Sequence, residues 1–210
     1  MSGMQCCFHE WVAHYRCCRS GEYVCPEHAR LEVVSVTTRV RTPALSVRTA
    51  QAGDYPAISA LAIRYWGETA MECFGRSHDV LTLPAFLAMD DGRVVGVLSY
   101  AVETDRLVVV MLNVHPDYQG RWTARSLLTA VEGEGRARGV SRLVIATSND
   151  DLLALYVYQR WGFVITEIRA GAILRHHGRE ELGFAGIPVR DEIRLERRLA
   201  SWGDATQGRL

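Results

Sequence analysis

Lysine is absent from the 210-residue chain: its 24 basic side chains are all arginine, and 24 acidic ones balance them to a formal net charge of zero. With no bulk field of either sign, the composition draws the chain neither to nucleic acid nor to an anionic membrane. Long apolar runs are missing too. Even a run such as Leu107 to Leu112 falls far short of the roughly 20 residues that span a bilayer. The first ten residues, MSGMQCCFHE, lack the charged-then-apolar order of a secretory leader, so the expectation is a soluble cytoplasmic protein. No internal repeat or low-complexity segment stands out. What is present is a globular balance, 48% hydrophobic and 23% charged. That suffices for one good-sized domain with a small appendage.

The cysteines are unevenly placed. Five of the six, Cys6, Cys7, Cys17, Cys18 and Cys25, fall within the first 25 residues, and Cys73 stands alone as a small buried hydrophobe. Histidines are interleaved with them at His9, His14 and His28. In a chain with no export signal, such a cluster points to metal rather than to disulfides. Two Cys-x2-His chelates, Cys6/His9 and Cys25/His28, can close a tetrahedral zinc site, and the metal would supply folding energy that so short a segment cannot find in a core. The spacing resembles the first half of a B-box-type zinc finger. Cys6, His9, Cys17 and Cys25 match, His28 replaces the last cysteine, and Ser20 stands where a fourth metal-binding residue belongs. The resemblance therefore implies one intact zinc site, Cys6, His9, Cys25 and His28, beside a broken one. Cys7, Cys17, Cys18 and His14 stay open as substitutes, and a reduced tail with chance cysteines is the alternative. Related fingers mostly bind protein, and no basic helix follows that could read a DNA groove.

Residues 1–30 are thus set apart as a Cys/His segment, 31–44 as a connector with strand character, 45–199 as the main domain and 200–210 as a tail. Within the main domain, LSVRTA reads as a first strand, and Asp54 as the N-cap of a helix over 55–66. An irregular stretch follows at 75–83. AFLAMD-DG-RVVGVLSYAVE reads as a hairpin turning at Asp91-Gly92. RLVVVMLNV is apolar on both faces and hence a central strand. After HPDYQGRW a helix runs from about 123 to 138, with Leu127, Leu128 and Val131 on one face and Gly139 stopping it. RLVIATS is a buried strand, DDLLALYVYQRW a helix, FVITEI a strand, His176 and His177 lie in a polar loop, and IRLERRL closes the domain.

The segment HPDYQGRWTARSLL resembles the acyl-CoA-binding motif of the GNAT acetyltransferases, Gln/Arg-x-x-Gly-x-Gly/Ala, here Gln119-Gly120-Arg121-Trp122-Thr123-Ala124 followed by Arg125. A second motif of that family, Tyr-x-x-x-Gly-Phe, is present as Tyr158 to Gly162-Phe163. The resemblance covers about Leu45 to Leu199. It implies an α/β (α+β) GNAT fold, a mixed central sheet flanked by helices, carrying a small N-terminal zinc segment. It also implies acetyl-CoA as acyl donor, with the pyrophosphate at the helix N-terminus and Gln119, Arg121 and Arg125 beside it. The pantetheine arm would pair with the backbone of Leu112, Asn113 and Val114. Trp122 departs from the pattern, standing at the first motif glycine. Its ring either points outward or packs under the zinc segment, leaving the site intact, or it crowds the donor.

Tyr158 matches the family tyrosine that protonates the departing thiolate; Tyr156 points to another helix face and is the weaker candidate. Asp151 stands where the family often has a pantetheine-binding Asn, and an N-cap role explains it equally well. The proton acceptor is less legible, because residues 106–114 hold no carboxylate. Asn113 occupies a useful place without being a base, His115 has suitable chemistry, and Glu103 and Asp105 read as solvated edge residues.

The function so implied is N-acetyl transfer from acetyl-CoA to a primary amine, a small molecule or a peptide, by direct attack. Two alternatives stay open: a degenerate acyl-CoA-binding module, and a transferase using an acyl carrier or aminoacyl-tRNA. A protein partner at the zinc segment and a homodimer are further associations left open; DNA and membrane are not expected.

Overall fold

A computed structural model of the chain describes residues 45–120 and 122–199. The zinc-segment ligands Cys6, His9, Cys25 and His28, the connector, the tail and Arg121 lie outside the described residues.

Strand β1 (Ser46–Thr49) leads through a short 3-10 turn (Ala52–Asp54) into helix α1 (Tyr55–Trp66). A small hairpin follows, β2 (Ala70–Cys73) and β3 (Arg76–Asp79), then β4 (Ala85–Asp90), β5 (Arg93–Val102) and β6 (Arg106–Val114). Helix α2 (Thr123–Ala137), β7 (Arg142–Ser148), α3 (Leu152–Arg160) and β8 (Val164–Arg169) come next. A short helix α4 (Ala172–His177), the two-residue strands β9 (Glu181–Leu182) and β10 (Pro188–Val189), and β11 (Glu192–Arg198) complete the described chain. Seven strands form one sheet in the order β1-β4-β5-β6-β7-β11-β8. All its ladders are antiparallel except β6 with β7. The fold is therefore the expected mixed sheet flanked by helices.

The elements follow from the pattern of apolar residues. Asp91 and Gly92 both take positive φ, 48° and 76°, as the two-residue turn joining β4 to β5 requires. On one face of the sheet, Leu127, Leu128 and Val131 of α2 pack with Leu98, Leu107, Val109, Leu143 and Phe163. On the other, Ile58 and Ala62 of α1 pack with Val97 and Met111, and Cys73 of the small hairpin with Val108 and Val144. The approach of α2 is close: a Cβ on Gly96 would lie 3.1 Å from Leu127 Cδ1 and 3.2 Å from Asn113 O. Only glycine leaves that room without forcing its neighbours to shift.

Three local expectations are corrected. The stretch 75–83 is not irregular throughout, because Phe74 and Gly75, both at positive φ, turn the β2–β3 hairpin. The polar loop at His176 and His177 contains α4. Asp54 stands at the N-cap position of α1 but makes no cap bond there. Its carboxylate instead accepts the Gln51 N–H at 2.7 Å and both Arg48 Nη groups at 2.7 and 2.8 Å, so the nearer guanidinium outcompetes the helix end.

Candidate active site

The parallel ladder between β6 and β7 is short. It runs from Arg106↔Arg142 to Val109↔Ile145 and stops, although β6 continues to Val114 and β7 to Ser148. A bulge accompanies the break: Tyr100 opposes Val109 while Ser99 opposes Met111, leaving Val110 as the extra residue on β6. A bulge bends its strand and ends local pairing, so the two strands part. Beyond the bulge, the N–H of His115 donates to Val95 O on β5 at 2.9 Å. Alternate residues of an extended strand turn opposite ways, so Met111, Asn113 and His115 face β5 with their backbone groups. Leu112 and Val114 turn theirs into the gap. The Asn113 backbone is thus directed away from the gap, unlike its two neighbours.

The chain from β6 to α2 closes the upper end of that gap. His115 begins a 3-10 turn, Pro116–Tyr118, and its Nδ1 accepts the Asp117 N–H at 3.3 Å while Nε2 lies 3.4 Å from Arg93 Nη2. A neutral imidazole has one acceptor nitrogen, and a donor stands beside each, the Asp117 N–H in the loop and Arg93 at the start of β5, so its single lone pair faces a donor in either tautomer. Gln119 Nε2 donates to Val114 O at 3.1 Å, which ties the loop to the strand. Gly120 and Trp122 both take left-handed backbone, φ 69° and 67°, and Thr123 Oγ1 donates to Tyr118 O. The first backbone bond of α2 runs from Ser126 N–H to Trp122 O, so the N–H groups of Thr123, Ala124 and Arg125 have no acceptor within the helix. They present a positive dipole end.

Trp122 is 68% exposed, so its ring points outward from the backbone it interrupts. The guanidinium of Arg125 lies 4.7 Å from the Trp122 ring centroid and 5.4 Å from that of Trp161 at the end of α3. Trp161 in turn faces Arg197, which donates to Trp161 O at 2.7 Å and pairs with the buried Glu132 at 3.0 Å. This arginine–tryptophan brace joins α2, α3 and β11 beside the loop.

Tyr158 is buried among core residues, its ring centroid 6.0 Å from that of Phe163. Burial, then the charge of Asp151, pushes its phenol well above the ordinary value, so it stays protonated. Tyr156 is exposed. Asp151 Oδ1 accepts the Ala154 N–H at 3.0 Å as the N-cap of α3, and burial raises its pKa. The side chain of Asn113 turns to α1, where Trp66 Nε1 donates to its Oδ1 at 3.0 Å; its Nδ2 is buried without a partner among the described residues. Glu103 and Asp105 sit at the far end of the sheet, paired with Arg106 and Arg142. Cys73 is a free, buried thiol whose pKa burial pushes up to about 12.

Two features had no counterpart in the sequence. Trp66 reaches Asn113 across 47 positions, a contact no local pattern announces. Asp150, one residue before the N-cap Asp151, is 8% exposed and accepts the Phe184 N–H at 3.0 Å. Its only sequence signal was two adjacent acids at a strand–helix junction. Among the described residues no cluster of three or more His, Cys, Asp or Glu is placed to hold a metal, and no helix is long and apolar enough to cross a membrane.

Comparison with known proteins gives a consistent result. A model of the acetyltransferase (GNAT) family matches residues 50–163. The uncharacterized protein YxbD of Bacillus subtilis is 26% identical over 147 residues, spanning 68% of this chain and 91% of YxbD. An IAA acetyltransferase from Bacillus cereus superposes with a TM-score of 0.61 at 22% identity, covering 74% of this chain and 99% of that one. A GNAT family acetyltransferase from Elizabethkingia anophelis, solved with acetyl-CoA bound, superposes with a TM-score of 0.57 at 21% identity, covering 74% and 98%.

Proposed function

The chain belongs to the GNAT acetyltransferase family, and we propose that it moves the acetyl group of acetyl-CoA to a primary amine by direct attack within a ternary complex. The observation that carries this reading is the early end of the β6–β7 ladder at Val109↔Ile145, which leaves the backbone groups of Leu112 and Val114 facing a gap. An extended pantetheine arm carries amides and fits strand groups turned into that gap, those of Leu112 and the Val114 N–H, while Val114 O is already held by Gln119 Nε2. The pyrophosphate is assigned to the Gln119–Arg125 loop and the N–H groups of Thr123 and Ala124, which have no acceptor within α2 and where the dipole favours anions. Gly120 and the left-handed Trp122 supply the turn, and the outward indole leaves the Trp122 N–H available.

The donor so held presents its thioester between the parted strands, on the side of Tyr158. Strand N–H groups polarise the carbonyl, and holding both reactants removes much of the entropic barrier. A neutral amine attacks the carbonyl carbon, a C–N bond forms, and the C–S bond breaks. Tyr158 gives its proton to the departing thiolate and is reprotonated from the new amide nitrogen. Tyr158 is protonated at neutral pH, as a proton donor must be, although burial makes it a weaker acid than a free phenol. Tyr158→Phe tests the assignment. Turnover falls by about 100-fold or more while acetyl-CoA affinity stays unchanged; unaltered turnover removes Tyr158 from the mechanism.

The zinc assignment rests on the spacing of Cys6, His9, Cys25 and His28 alone. We propose that these residues hold a structural zinc and offer a docking point for a protein partner. Elemental analysis of the full chain tests it: about one zinc per chain, lost in Cys25→Ser, supports the site, and metal-free folded protein contradicts it.

A further inference from the structure

The family reading leaves the proton acceptor unassigned, and His115 and Asn113 are both committed elsewhere. One carboxylate near the gap is not. Asp150 lies two residues past the end of β7, at the carboxyl end of the two parallel strands, where open sheets receive ligands. It is 8% exposed, its Oδ2 accepts the Phe184 N–H at 3.0 Å, and its Oδ1 is buried with no partner among the described residues.

Its surroundings fix the carboxylate without neutralising it. A Cβ on Gly183 would lie 1.9 Å from Asp150 Oδ2, so the backbone between β9 and β10 rests directly on the carboxylate. The adjacent Asn149 pins the same segment: its Oδ1 accepts the Arg190 and Asp191 N–H groups at 2.8 and 2.9 Å, and its Nδ2 donates to Pro188 O. The charged groups nearby do not pair with Asp150. Arg190 lies 3.9 Å from Asp191, Arg179 and His177 pair with Glu181, and Arg194 pairs with Glu192 and Glu167. From its own segment Asp150 faces the carboxylate of Asp151, with the Tyr158 phenol of α3 beyond it. A buried carboxylate with a free oxygen and an acidic neighbour is costly unless a cation arrives.

We propose that Asp150 receives the ammonium group of the acceptor, a positively charged primary amine, and takes its proton. The inference rests on the acetyl-transfer reading above. The N–H bond to one ammonium proton breaks, that proton passes to Asp150 Oδ1, and the freed lone pair attacks the thioester. Asp150 then returns the proton to solvent as the amide product leaves. The β9–β10 segment becomes the wall that seats the amine.

Asp150→Asn tests this, because the amide oxygen still accepts the Phe184 N–H. The probe is n-butylamine, with release of CoA followed from about pH 6 to about pH 10. The variant is expected to lose about 100-fold in kcat/KM at neutral pH. Its rate should then climb about tenfold per pH unit toward the pKa of the amine itself, whereas the wild type levels off at lower pH. Acetyl-CoA affinity should match the wild type. Matching pH profiles, or a wild type that binds acetyl-CoA but transfers nothing to n-butylamine, would overturn the proposal. A wild type that fails to bind acetyl-CoA would instead remove the donor reading beneath it.

Discussion

Trp122 is where the chain departs from its family motif, and its backbone makes a quantitative prediction. A left-handed φ of 67° costs a non-glycine residue about 1–2 kcal/mol. The indole's visible return is the Arg125 guanidinium 4.7 Å from its ring centroid, worth about 0.5–1 kcal/mol at an exposed site. Trp122→Ala loses the stack and keeps the strain, so it should destabilise by about 0.5–1 kcal/mol. Trp122→Gly loses the same stack and relieves the strain, but adds about 0.5–1 kcal/mol of unfolded-chain entropy. At the midpoints of these ranges the glycine variant should therefore exceed the alanine variant by about 0.75 kcal/mol, or roughly 1.5–3 °C in melting temperature for a domain of this size. Thermal unfolding by circular dichroism of the wild type and both variants measures the difference directly. Since the N–H of residue 122 survives both changes, acetyl-CoA titrations should give affinities close to the wild type. An alanine variant as stable as the glycine variant would refute the strain argument. Loss of acetyl-CoA binding in either would place the indole within the donor site.

Two further outcomes follow from the charges. Glu132 is 5% exposed and bonds Arg136 at 2.5 Å and Arg197 at 3.0 Å; Glu132→Ala removes their shared acceptor, though water reaches Arg136 and Arg197 keeps Trp161 O, and should cost about 1–3 kcal/mol, read as a lower urea midpoint at unchanged m-value. The Arg48 guanidinium beside Asp54 holds its carboxyl down to about 2 from an unfolded 3.8. A depressed carboxylate stabilises the fold above its unfolded pKa and is lost as pH falls through the folded one, so acid titration should show a loss between about pH 4 and pH 2 that Asp54→Asn flattens.

Much of the fold was legible because its signals are local. The Asp91-Gly92 turn, the two-faced apolar run of β6 and the Leu127, Leu128 and Val131 stripe of α2 each declare their element within a few residues. The β2–β3 hairpin did not, since its strands are four residues each and its turn places positive φ on Phe74, a residue that does not advertise a turn. Phe74 is instead held from outside: its N–H donates to Glu192 at 2.8 Å and its ring lies between Arg106 and Arg194. Asp54 was read as a helix cap, but Arg48, six residues earlier, claims its carboxylate. At the site, the phosphate-loop motif and Tyr158 were visible as patterns. The neighbours of Asn113 and Asp150 were not, because Trp66 and Phe184 reach them from 47 and 34 positions away. Where a side chain meets a distant partner, spacing along the chain carries no information.

The central claim, that the gap between β6 and β7 and the loop before α2 hold an acetyl-CoA donor, is tested most directly by calorimetric titration of the full chain with acetyl-CoA. Micromolar binding at one site, with CoA competing, is the predicted result. No detectable heat or competition, from protein shown to be folded, would contradict it.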